Sequence, residues 1–265
     1  MPDSLVLLFV AALGLAVGSF LNVCIYRLPR GESLLMPASH CTTCGRSLAW
    51  YENVPVVSWL ALRGRCRTCG TRISVMYPLV EAAAAVIAVT WYLYYVASRQ
   101  VPDPQDWYLF VSRLVFALAM LVLFVIDLQH RILPNMITVA GIGVGFLLSL
   151  AGPPGWRDSL IGLLAGGGSL WLLSEGWYRL RGEEGMGMGD VKMMAMIGAF
   201  LGWKLMILTV ILGSFGGSLI GLALIAIGKG DRKTQLPFGT FLALAAVAAC
   251  RFGDPVVDWY STFYR

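Results

Sequence analysis

The sequence predicts an all-α polytopic membrane protein of about eight transmembrane helices with a zinc-stapled cytoplasmic loop. Three observations carry this reading. The 265 residues are 58% hydrophobic and only 13% charged, with a mean hydropathy of +0.73; a soluble domain of that length needs many more charges on its surface. The apolar residues come in long runs rather than in period-2 or period-3.6 stripes, and about 20 apolar residues cross a bilayer core of about 30 Å. The one long polar stretch, 27–76, holds four cysteines in two C-x2-C pairs.

Taken in order, the apolar runs place spans at about 5–26, 77–97, 107–126, 136–151, 159–178, 191–203, 205–228 and 237–252. The first lacks a basic n-region and a small-residue cleavage site, so it reads as a retained span rather than a signal peptide. The sixth is short and interrupted by glycine. This divides the chain into a first transmembrane helix (1–26), a four-cysteine loop (27–76) and a transmembrane bundle of about seven helices (77–265). No low-complexity tract or internal repeat stands out.

The net charge of +5 is modest, and its placement argues for topology rather than for nucleic-acid binding. The 27–76 loop carries Arg27, Arg30, Arg46, Arg63, Arg65, Arg67 and Arg72 against only Glu32 and Glu52. Further basic residues on the same side are Arg131, Arg179, Arg181, Lys192, Lys229, Arg232 and Lys233, whereas Arg99, Arg113, Arg157, Lys204, Arg251 and Arg265 fall on the other. Basic residues concentrate in cytoplasmic loops, which puts the 27–76 loop inside and both termini outside. Trp91, Trp107, Trp156, Trp177 and Trp203 fall near span ends, as an interfacial aromatic belt does.

The loop has about 50 residues, too few for an independent core without a staple. Cys41-Thr-Thr-Cys44 and Cys66-Arg-Thr-Cys69 are separated by 21 residues, and Gly45 and Gly70 follow the second cysteine of each pair. Such knuckles bring four thiolates onto one tetrahedral ion, a closed structural Zn2+. Two disulfides or a redox C-x-x-C are the alternatives. The cytoplasmic side keeps thiols reduced, and two copies in one small loop favour a metal. The ion supplies folding free energy that a coreless loop lacks. His40 reads as a bystander, and Cys24 and Cys250 as buried small hydrophobes.

Three carboxylates stand apart from the loops: Glu81, Asp127 and Asp190. Asp127 ends the third span in Phe124-Val125-Ile126-Asp127-Leu128. Asp190 opens the sixth in Gly185-Met186-Gly187-Met188-Gly189-Asp190-Val191-Lys192. A central intramembrane Asp costs about 3 kcal/mol on insertion scales, so such a residue reads as functional by default. The alternative is a hydrated interfacial acid paired with Arg131 or Lys192. The topology puts both Asp residues at one membrane face, and the glycines before Asp190 let an extended substrate approach the backbone. Two close carboxylates share a proton, one acting as base toward water and the other as acid toward a peptide carbonyl. The only histidines are His40 and His130, neither beside a nucleophile motif, and no H-E-x-x-H or phosphate-loop ending occurs.

In chain order these residues resemble the type IV prepilin peptidases, or leader peptidase/N-methyltransferases. The matching motifs are Gly18-Ser19-Phe20-Leu21-Asn22-Val23 with Arg27-Leu28-Pro29, Pro37-x-Ser39-x-Cys41-x-x-Cys44, Asn53-Val54-Pro55, Gly64-Arg65-Cys66-x-x-Cys69 and Ile73-Ser74-x-x-Tyr77-Pro78-x-Val80-Glu81. Asp127 with Leu133-Pro134, Gly187-x-Gly189-Asp190-x-Lys192, and Pro237-Phe238-Gly239-x-Phe241-Leu242-Ala243 complete the series. The resemblance implies a bacterial inner-membrane enzyme that removes the basic leader of type IV prepilins, or of type II secretion pseudopilins, after a Gly. It then methylates the new N-terminus with S-adenosylmethionine. It implies that Asp127 and Asp190 are catalytic, that Cys41, Cys44, Cys66 and Cys69 hold zinc, and that the partners are pilin substrates and the lipid bilayer, with no nucleic acid. Gly187, Gly189 and Lys192 are candidates for substrate contact. Gly64 and Glu81 are candidates for the methyl donor, with a structural role ranked ahead for Glu81, as a cap or a partner of Arg72. The sequence departs from the family at Asn135, Met193 and Thr240, where Asp, Leu and Pro are usual, and none of the three is expected to touch the aspartate pair.

Other classes remain in view: a peptidase without methylation, an ion-coupled transporter, a non-enzymatic assembly subunit, and a presenilin- or preflagellin-type peptidase. A transporter predicts repeat symmetry and leaves the cysteines unexplained. A scaffold leaves the two aspartates unexplained, and the last class is not expected to carry the zinc loop.

Overall fold

A computed structural model describes residues 4–183, 186–228 and 237–263. Gly185 of the glycine run and Lys229, Arg232, Lys233 and Arg265 of the charge pattern lie outside the described residues. Among the described residues the only β pairing is two isolated bridges, His40–Ser47 and Arg65–Arg72. The chain forms two compact units, 1–114 and 115–265.

In the first unit, α1 (Ser4–Arg27) packs antiparallel on α3 (Met76–Tyr92), and a π turn, Leu93–Ala97, extends α3. Small residues make the contact. A Cβ on Gly14 would lie 2.7 Å from Ala85 Cα, and one on Gly18 would lie 2.6 Å from Glu81 Cα. Glycines four apart give one helix a flat stripe on which another backbone can lie, the way close helix pairs form in lipid. Between these helices the polar loop contains a 3-10 turn, Trp50–Asn53, and the short α2 (Val57–Ala61). The opening motif supports it: Asn22 Nδ2 donates to Tyr77 O at 3.0 Å, and buried Arg27 donates to Ser33 O and Pro37 O at 2.8 and 2.5 Å. α4 (Pro104–His130) starts in the first unit with Pro at its first position and a reciprocal cap. There Asp106 N donates to Asp103 Oδ1 at 2.8 Å, and Asp103 N to Asp106 Oδ2 at 3.1 Å.

The second unit contains the rest of α4, α5 (Asn135–Ser149), α6 (Trp156–Arg181), α7 (Met188–Ala226) and α8 (Phe238–Thr262). Its centre is the first half of α7, buried continuously from Met193 to Gly202 and packed on α5, α6 and α8. Gly202 breaks α7 at φ 78, ψ 173, a backbone state open essentially to glycine alone. The expected spans 191–203 and 205–228 are therefore two helices joined at that residue. With α1, α3, α4, α5, α6 and α8 they make eight long helical segments among the described residues.

Among the described residues, five runs are long and apolar enough to cross a membrane by length and composition: Ser4–Arg30, Met76–Ala97, Pro104–His130, Met188–Ala226 and Phe238–Thr262. The 15 residues of α5 rise only about 22 Å, short of a full bilayer core. α4 and α8 run past their expected ends, to His130 and Thr262. Asp127 therefore sits inside the last turn of α4 rather than at its end.

Candidate active site and metal centre

The local chain path explains how Asp127 is presented. Arg131 adopts φ 56 and its N–H donates to Asp127 O at 2.9 Å, a left-handed cap that stops α4 one residue after His130. Leu133 and Pro134 follow, and α5 restarts at Asn135. The tight turn folds Leu133 back between two glycines. A Cβ on Gly189 would lie 3.0 Å from Leu133 Cβ, and one on Gly239 would lie 3.0 Å from both Leu133 Cδ1 and Asp127 Oδ2. Leu133 thus wedges between the N-terminus of α7, which carries Asp190, and that of α8, which faces Asp127.

Asp127 is buried. Its Oδ2 accepts two hydrogen bonds from Thr240, the N–H at 2.6 Å and Oγ1 at 2.8 Å. Thr240 lies in the first turn of α8, whose N–H groups have no intrahelical partners. The expectation that no departure from the family pattern touches the aspartates is therefore overturned at Thr240, which is a direct partner of Asp127. The signal was available in Pro237-Phe238-Gly239-Thr240, which reads as a helix start with free donors. Its target, 113 residues away, was not.

Asp190 lies in the first turn of α7 after Gly187, the N-cap, whose carbonyl accepts the Asp190 N–H at 3.1 Å. It is half-buried and close enough to Asp127 for their charges to interact. Gly187 is exposed, and a Cβ there would stand 3.8 Å from Asp190 Oδ2, with no other side chain within 4 Å. Any side chain at 187 would narrow the approach to that carboxyl. Lys192 donates from Nζ to Asn135 Oδ1 at 2.9 Å, so the second departure bears on a substrate candidate. Met193, the third, is fully buried in the core. Two carboxyls close together, one anchored and one beside open backbone, are the donor and acceptor that general acid–base attack of water on a peptide needs.

The cysteine loop repeats one device twice. Cys41 N donates to Arg46 O at 2.9 Å and Gly45 N to Cys41 O at 2.9 Å. Cys66 N donates to Thr71 O at 2.8 Å and Gly70 N to Cys66 O at 2.9 Å. Gly45 and Gly70 take φ 70 and 71, the left-handed state that closes each knuckle. The four Sγ atoms lie within 4.8 Å of one another, and Cys41 Sγ stands 3.8 Å from Cys69 Sγ. Tetrahedral Zn–S bonds of about 2.3 Å place sulfurs about 3.8 Å apart, whereas a disulfide needs about 2.05 Å. The donor set fits a metal and not two disulfides. The Thr71 hydroxyl and N–H bring the Cys69 thiol down to about 6. Arg46 donates to both Glu52 oxygens, at 2.7 and 2.9 Å, and the Ala49 N–H donates at 2.8 Å, holding Glu52 below the usual carboxylate range.

Gly64 and Glu81 are committed inside the first unit. Gly64 has φ 63 and a Cβ there would strike the Trp59 ring at 2.8 Å. Glu81 is buried and its Oε2 accepts the Val56 N–H at 2.7 Å, so its partner is a loop backbone rather than Arg72.

Two family models match the chain: the bacterial peptidase A24 N-terminal domain over residues 12–95 and the type IV leader peptidase family over residues 114–222. By class, then, this is a membrane-embedded peptidase. Its relatives include proteins named prepilin leader peptidase/N-methyltransferase. One from Pseudomonas putida is 36% identical, covering 92% of this chain and 90% of its own length. One from Aeromonas hydrophila is 36% identical over 98% and 93%. One from Myxococcus xanthus is 40% identical over 86% of this chain and 66% of its own. The chain belongs to the prepilin leader peptidase/N-methyltransferase family. No solved structure matches it.

Proposed function

We propose that this protein is an intramembrane aspartyl endopeptidase. It removes the basic leader of type IV prepilins, or of type II secretion pseudopilins, after a Gly, and then methylates the new N-terminal amine. The observation that carries the reading is the approach of Asp190, beside the open backbone of Gly187, to Asp127, which is anchored on Thr240. One carboxylate takes a proton from water as it attacks the scissile carbonyl, and the other protonates the carbonyl oxygen. The amine leaves with a proton returned from the pair.

Cys41, Cys44, Cys66 and Cys69 would hold a structural Zn2+ that folds the loop and takes no part in the chemistry. S-adenosylmethionine would supply the methyl group; the relatives' name supports the transfer, and Gly64 and Glu81 enter only as weak candidates. Gly187 gives the unwound cleavage junction room, whereas Gly189 lies against Leu133 and Lys192 donates to Asn135, so these two enter only as weak candidates for substrate contact. The charge pattern supports a bacterial inner-membrane enzyme in the lipid bilayer, with the N-terminus outside and the cysteine loop and aspartates at the cytoplasmic face. A prepilin helix then stays in the bilayer while its junction reaches the aspartates.

The test is co-expression with a prepilin, reading pilin size and N-terminal mass for wild type, Asp127→Asn and Asp190→Asn. Wild type removes the leader and adds one methyl group, while both variants insert and leave the leader intact. Cleavage at the wild-type rate by either variant makes that aspartate structural. Cleavage without the methyl group leaves a peptidase alone.

A further inference from the structure

We propose that Thr240 is the positioning residue that makes Asp127 the proton acceptor of the aspartate pair, leaving Asp190 as the donor. The proposal rests on the reading of Asp127 and Asp190 as the reacting groups. Its basis is the unequal surroundings of the two carboxyls. Asp127 Oδ2 receives two donors from one residue, at 2.6 and 2.8 Å, and both atoms of that contact are buried. The backbone N–H can only donate, so Oδ2 must present a lone pair to it. The hydroxyl adds a second donor from the same residue, and α8 directs the positive end of its dipole at the same oxygen. Asp190 receives no side-chain or backbone donor on its carboxyl from any described residue.

This arrangement gives each oxygen a task. Oδ2 of Asp127 is held, so the carboxylate plane is fixed and Oδ1, which no described residue occupies, is left for water. The water O–H breaks and its proton moves to Oδ1. The water oxygen bonds to the scissile carbonyl carbon, and the carbonyl oxygen takes the proton that Asp190 carried. When the C–N bond breaks, the proton on Oδ1 leaves with the amine, and the new acid returns its proton to Asp190. Electrons and protons balance with no further reactant. The contact with Leu133 and the flush fit of Gly239 keep α8 in register for it. A Pro at this position would supply neither donor, so the device depends on the residue that this chain carries here.

The test uses the full-length protein in phospholipid nanodiscs with a synthetic prepilin. A hydrogen bond to a charged group is worth enough that its loss lowers the rate roughly tenfold or more. The expected result is a fall of that size in kcat for Thr240→Val and Thr240→Ala, with KM held within about twofold. Thr240→Ser restores kcat, because it returns the hydroxyl on an unchanged backbone. Wild-type kcat in both Thr240→Val and Thr240→Ala overturns the proposal, as does a loss confined to KM or a failure of Thr240→Ser to restore it. Thr240→Ala, the smaller change, decides the matter if Thr240→Val does not insert. Asp127→Asn is run alongside. If it cleaves, the reading of the pair fails and the proposal with it. If it is inactive while Thr240→Val and Thr240→Ala are normal, only the role of Thr240 is wrong.

Discussion

Gly162 of α6 and Gly198 of α7 meet backbone to backbone: a Cβ on Gly162 would stand 2.6 Å from the Gly198 carbonyl oxygen. The same α7 carries Asp190 two turns earlier, so this crossing positions one of the two carboxyls. Because the obstacle is backbone, it cannot swing aside as a side chain does.

A methyl group at this crossing is therefore expected to cost about 1–3 kcal/mol of overpacking. Gly198→Ala and Gly162→Ala should lower the thermal midpoint in detergent and reduce prepilin cleavage together. Gly168→Ala, on the same α6 with nothing within 4 Å of its Cβ, is the control and should be neutral or gain helix propensity. Equal melting of all three variants would remove the crossing from the account.

Gly239 gives a milder case. Its Cβ would come within 3.0 Å of Asp127 Oδ2 and Leu133 Cδ1. Leu133 can shift, but the carboxylate is tied to Thr240. Gly239→Ala is expected to lower kcat severalfold, with melting changed by about 1 kcal/mol or less. A variant with normal kcat would mean that the carboxylate has slack at this point.

Metal content tests the loop. One zinc per chain is expected for purified wild type, and Cys44→Ser or Cys69→Ser should lose it and expose residues 28–75 to protease, since binding and folding are one process in such loops. Full zinc in either variant would show that the four sulfurs are not its ligands.

Glu81 and Val56 supply the fourth prediction. Val56 sits at φ 61, ψ −50, an unfavourable state for a β-branched residue worth about 1–3 kcal/mol. Its N–H is fixed by Glu81. Glu81→Ala should loosen the loop in limited proteolysis, and Val56→Gly should recover resistance by relieving the strain. If Glu81→Ala instead loses only methylation with the loop intact, Glu81 belongs to the methyl-donor site.

Asp127, Asp190 and the four cysteines could be picked out of the sequence because each breaks a local rule. A carboxylate in an apolar run and a C-x2-C pair in a coreless loop are costly unless they do something. The spans followed from the same logic, apart from their ends and α5, whose shortness depends on where Pro134 restarts the helix. The break at Gly202 was half legible, as a glycine among two adjacent apolar runs, but its φ of 78 is a property of the folded backbone.

The sequence by itself determined the membrane class and the family, and singled out the four cysteines and the two aspartates as candidates, because composition and short motifs encode local chemistry. Only the tertiary structure decided that Thr240 holds Asp127, that Leu133 wedges between Gly189 and Gly239, and that Glu81 pins Val56. Each of these joins residues far apart in the chain through a contact of a few ångströms. Such contacts depend on how helices cross, and the crossings are set by small-residue packing between segments that no single stretch of sequence contains.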